Sequence, residues 1–153
     1  MKKFILSIMI ALTFVLPAHA AVYKVVSTED TETIKTILKE EVPKIEGFKY
    51  YSEGDYGIYF QGPLKSAIGN FFFYNYHLNQ SPDIRINFIF IADEDGKTKV
   101  KALLSMIENP KDPRYRRETV DVCNNKQDEK VLYNLLETLE ARINPDYTPS
   151  YKE

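Results

Sequence analysis

The chain opens on an unbroken apolar stretch and then alternates between two hydrophobic periods. Phe4 to Leu16 carries no charge, follows Lys2 and Lys3, and precedes Ala18-His19-Ala20, the pattern of a cleavable export signal. Cleavage is expected after Ala20. The thirteen apolar residues fall short of the ~20 that a membrane-spanning helix needs. Val22, Tyr23, Val25 and Val26 then form a short β-prone run, and Ser27 to Asp30 read as a helix cap with acids behind it. Ile34, Ile37, Leu38 and Val42 recur at helical spacing, while Lys35, Lys39, Glu40 and Glu41 are expected to face water. Pro43 ends this first amphipathic helix.

From Phe48 the period shortens to two. The runs FKYYSE and YGIYFQ, joined near Gly54-Asp55, predict one hairpin. Ile84 to Ala92 and Thr98 to Ile107, around Asp93-Glu94-Asp95-Gly96-Lys97, predict a second. Ile84, Ile86, Phe88 and Phe90 share one face of the first strand, as Val100, Ala102, Leu104 and Met106 do of its partner, and these form the expected core. The opposite face carries Ile89, Ile91, Leu103 and Ile107, too apolar for a solvated surface. A cover over its centre is therefore expected, from this chain, a second subunit in a homodimer, or a ligand.

Asn109-Pro110 and Asp112-Pro113 interrupt the pattern, and Glu118 to Val122 is again β-prone. Asn124 or Asn125 can cap a last helix, whose stripe is Leu132, Leu135, Leu136, Leu139 and Ile143 and whose end is Asn144-Pro145. The pieces assemble as an α+β fold: a four-stranded antiparallel sheet from two hairpins, with the N-terminal and C-terminal helices on one face. The alternative is a more strongly curved sheet that grips the last helix around a cavity, with residues 64–81 as additional strands. The expected organisation is a signal peptide over 1–20, one domain over 21–145 and a frayed tail over 146–153.

Composition narrows the function more than it identifies it. Losing Lys2 and Lys3 from 20 basic and 22 acidic residues leaves a formal charge of −4, with no global attraction to nucleic acid or anionic lipid. No second run reaches membrane-spanning length, because Arg85 and Asn87 interrupt Ile84 to Ala92. Cys123 is the single cysteine, so no internal disulfide forms, and a buried thiol is the simplest reading in an oxidising compartment.

The aromatic run Phe71-Phe72-Phe73-Tyr74-Asn75-Tyr76-His77 is denser than one face of a half-buried strand can hide. It reads either as a flap over the sheet's second face or as a contact surface for a partner. His77 is the one histidine of the mature chain, and there is no Cys/His ligand cluster, glycine-rich phosphate loop or nucleophile elbow. Asp93 to Gly96 reads as a hairpin tip rather than a calcium loop, since Leu104 stands where an EF-hand needs glutamate. Arg114, Arg116 and Arg117 form a basic cluster suited to carboxylates or phosphates, or to pairing with Asp112, Glu118 and Asp121.

Ile68-Gly69-Asn70, Pro82 with Ile84-Arg85-Ile86 and Phe88, Gly96 with Val100 and Ala102, Pro110, Arg117 and the leucine-rich closing helix together resemble a family of small, uncharacterised bacterial exported proteins and lipoproteins. The resemblance implies an α+β domain dominated by a β-meander and carries no known activity. This chain departs from the lipoprotein members in lacking a lipid-accepting cysteine at the cut. The functional expectation is a periplasmic or extracellular, non-enzymatic module without cofactor or metal. Phe71, Phe72, Phe73, Tyr74, Tyr76, His77, Arg114, Arg116 and Arg117 are its candidate contacts for a protein or envelope component. The alternative is a small carrier holding an apolar ligand between sheet and last helix.

Overall fold

The computed structural model describes residues 21–63, 82–120 and 126–153. In chain order these form β1 (Val22–Val26), α1 (Thr31–Glu41), a single 3-10 turn (Val42–Lys44), β2 (Lys49–Gly54), β3 (Gly57–Pro63), β4 (Asp83–Ala92), β5 (Thr98–Glu108), β6 (Arg117–Val120) and α2 (Lys126–Ile143). Residues 1–20, expected as a signal segment, residues 64–81 and Cys123 lie outside the described residues.

Asp30 starts α1: its carboxylate accepts the Glu32 N–H at 3.0 Å and the Thr33 hydroxyl at 2.5 Å, satisfying a donor the helix leaves free. Pro43, inside the 3-10 turn, closes it. Ile34, Ile37, Leu38 and Val42 point inward as their spacing predicts. Lys35 departs from expectation. Its aliphatic stem is buried, with the ammonium reaching out to Glu32 at 2.7 Å.

The fold is α+β with an antiparallel sheet, and both expected hairpins are present, as β2–β3 and β4–β5. Among the described residues the sheet has six strands rather than four, in the order β1-β5-β4-β3-β2 with β6 also on β5. β5 is long enough for its outer edge to carry two short strands end to end: β1 pairs along Thr98 to Ala102, and β6 along Ser105 to Glu108. The tip between β4 and β5 turns through Asp95 and Gly96, at φ of 60° and 69°, a left-handed pair that Asp tolerates and Gly favours.

Both helices pack on one face of the sheet. Leu132, Leu136 and Leu139 of α2 and Ile34, Ile37 and Leu38 of α1 meet Phe60, Ile84, Ile86, Phe88, Phe90, Val100, Ala102, Leu104 and Met106, all within one buried cluster. The eight strand residues expected in the core are therefore all there. Phe60 and Phe88 meet edge to face, with centroids 6.1 Å apart.

Where fraying is expected beyond Asp146, the tail instead lies back along α2. Glu137, only 1% exposed, accepts from Lys24 Nζ at 2.5 Å, the Tyr147 hydroxyl at 2.6 Å and the Ser150 N–H at 2.7 Å. Asn134 and Lys152 exchange a further pair of bonds, at 2.9 and 3.2 Å. A buried carboxylate needs such partners, and here the tail supplies two of them. Burial alone would raise the Glu137 pKa, but the bonds from Lys24, Tyr147 and Ser150 outweigh it and hold the carboxyl below its ordinary 4.5.

Candidate binding face

The face of the sheet turned away from the helices is built differently. Strand alternation places Asp83, Arg85, Asn87, Ile89 and Ile91 of β4 beside Ile107, Ser105, Leu103, Lys101 and Lys99 of β5. Its centre is buried, as its apolar residues suggest for Leu103 and Ile107, yet Arg85, Asn87 and Ser105 are buried with them. Asn87 donates to Ser105 Oγ at 2.6 Å across the two strands.

Arg85 organises one end of this floor. Its Nη1 donates to both Glu118 oxygens at 2.9 and 3.1 Å, and its Nη2 to Gln61 Oε1 at 3.1 Å. Gln61 in turn donates to Asp83 Oδ2 at 2.6 Å. The Tyr51 ring covers the guanidinium, with its centroid 4.4 Å from Cζ. Tyr51 is available for this because a register shift between Tyr50 and Ser52 inserts it into β2 as a bulge residue. Arg116 Nη2 then donates to the Tyr51 hydroxyl at 3.3 Å, with Cζ 5.8 Å from the same ring. That hydrogen bond and the nearby charge of Arg116 hold the Tyr51 phenol below its ordinary 10.0. Arg85 Nε is buried and has no hydrogen-bond acceptor among the described residues.

β6 and β2 stand four strand positions apart, about 19 Å in a flat sheet. Two long side chains bridge that span, as Arg116, just before β6, and the bulged Tyr51 of β2 reach each other over the second face. This chain thus supplies part of the cover.

At its other end the face is open. Val25, Lys99 and Ile91 are neighbours in register, as are Tyr23, Lys101 and Ile89. Tyr23, Val25 and Ile91 are each more than 40% exposed, and Lys99 Nζ sits 5.0 Å from the Tyr23 ring centroid.

The structure separates the expected arginine cluster. Arg116 turns inward to Tyr51, Arg117 starts β6 opposite Glu108, and Arg114 stays exposed, with Nε 3.6 Å from Asp112. Glu118, expected to pair within that cluster, belongs to Arg85 instead. Phe71, Phe72, Phe73, Tyr74, Tyr76 and His77 lie outside the described residues. Sequence reasoning missed Arg85 and Tyr51. The available signal was the same interruption of an apolar strand by Arg85 and Asn87 that argues against a membrane span.

A cleft of about 340 Å³ opens between the hairpin tips, lined in part by Glu29, Asp55, Tyr56, Phe90 and Asp93. Among the described residues no three His, Cys, Asp or Glu side chains converge as metal ligands, and no helix is long and apolar enough to cross a membrane. No known protein family, curated protein or solved structure matches this chain. The likeness to small exported proteins and lipoproteins rests on its short motifs alone.

Proposed function

We propose that this chain is an exported, non-enzymatic module that binds a protein of the cell envelope through the second face of its sheet. The aromatic run Phe71 to His77 joins that reading on its sequence alone. The observation that carries the proposal is the division of this face. A buried polar floor of Arg85, Asn87 and Ser105 lies at one end, and exposed Tyr23, Val25 and Ile91 stand among Lys99 and Lys101 at the other. Apolar side chains on either side of a central Lys99–Lys101 pair suit a partner that sets acidic groups between two apolar contacts. The carrier reading draws no support from the sheet–α2 interface, where Leu132, Leu136, Leu139, Ile86, Phe88 and Leu104 pack at 1% exposure or less.

The test is copurification from the envelope fraction, using wild type and a Tyr23→Ser/Ile91→Lys double variant. Both sites are exposed, so the melting temperature should hold while the retained protein is lost. An unchanged retained set, or none with wild type, would overturn the proposal.

A further inference from the structure

We propose that Arg85, with the Tyr51 ring and Arg116, binds a single oxyanion group, a carboxylate or phosphate borne by the partner. This inference rests on the second face being the binding surface.

A guanidinium offers five N–H donors. Glu118 engages Nη1 and Gln61 engages Nη2, which leaves Nε without an acceptor among the described residues, on a residue that is 9% exposed. Buried donors are ordinarily satisfied, so an open Nε edge marks a place where an acceptor is missing. That edge is also the part of arginine that takes carboxylate or phosphate oxygens in charge-assisted bonds. The Tyr51 ring lies against the guanidinium, and Arg116 brings a second cation to the same ring. Lys49, opposite Gln61 in register, adds a third positive charge nearby.

Two carboxylates oppose an incoming anion. Asp83 is occupied by the Gln61 amide, whereas Glu118 binds Arg85 directly and its side chain is 32% exposed. Glu118 is thus an internal competitor that can turn toward water. The Arg116–Tyr51 contact beside this group is one exposed 3.3 Å hydrogen bond, weak in water, so Arg116 can turn to an incoming anion at little cost.

The test is an NMR titration of the arginine Nε–Hε signals of the purified protein, at constant ionic strength, with sodium phosphate and separately with sodium acetate. Arg85→Lys assigns the signal by its loss. The Arg85 signal should move saturably, with a midpoint of roughly 1–10 mM, as suits one charge-assisted site that is partly solvated. Arg116→Gln should weaken binding about fivefold and Glu118→Gln tighten it about fivefold, as nearby charges are removed. Both substitutions are at the surface and leave the fold intact. Saturation by both anions assigns any oxyanion, and saturation by phosphate alone assigns a phosphate-bearing partner. A flat response to both, or Arg116→Gln behaving as wild type, overturns the inference. A flat response alongside partner retention that still depends on Tyr23 and Ile91 removes the anion site alone. Loss of that dependence removes the binding face itself.

Discussion

Two buried charges, one on each side of the β-sheet, have opposite surroundings. Glu137, on the helix side, receives bonds from a lysine, a phenol and a backbone N–H, and none of its listeners is spare: the tail and β1 are both fastened through it. Arg85, on the other side, is held by Glu118 and Gln61, while its Nε has no acceptor among the described residues. A buried ion with a full set of partners contributes to the fold, whereas one left partly unsatisfied costs free energy that folding alone does not recover. The contrast assigns the first side to stability and makes the second the place to look for binding.

The largest effect should come from the helix-covered face. Phe88→Ala removes a fully buried ring that meets Phe60 edge to face, and should lower unfolding free energy by about 3–5 kcal/mol in urea titrations. Next in size, Glu137→Gln should cost about 2 kcal/mol, less than a fully buried pair because the Lys24 side chain is 18% exposed, and should make the tail beyond Asn144 sensitive to limited proteolysis. By contrast, Arg85→Met should change stability by no more than about 1 kcal/mol, since it removes an unsatisfied donor and frees Glu118 to rehydrate. Equal losses from the Glu137 and Arg85 substitutions would break the comparison.

Acid sharpens it further. The folded state holds the Glu137 carboxyl below 4.5, so the unfolded chain takes up the proton first as pH falls. The stability from this site is complete above about pH 4.5 and is lost as pH drops through the folded value, so protease sensitivity of the tail should rise in that window and not in Glu137→Gln. The smallest effect is spectroscopic. Tyr51 should ionise at a lower pH than an ordinary tyrosine at 10.0, read as phenolate absorbance missing from Tyr51→Phe, and Arg116→Gln should return it toward that value.

Much of the architecture was legible from periodicity. The period-two runs located β2 to β5, and the helical stripes named the inward residues of α1 and α2 correctly at Ile34, Leu38, Leu132 and Leu136. The short runs at Val22 and Glu118 are locally β-prone, but nothing local says that both join the same edge of β5. Helical spacing alone places Lys35 toward water and cannot show that its stem is buried. The tail has too little hydrophobic pattern to announce that it docks; its anchors are the Glu137 and Asn134 side chains of α2.

The sequence by itself determined which side chains point together, because alternation along a strand and the turn of a helix are set within a few residues. Only the tertiary structure decided which elements meet. Arg85 and Glu118 are 33 positions apart in the chain, and Lys24 and Glu137 are 113 apart. Their encounters depend on strand order and on the Tyr51 bulge, long-range properties that no local hydrophobic period encodes.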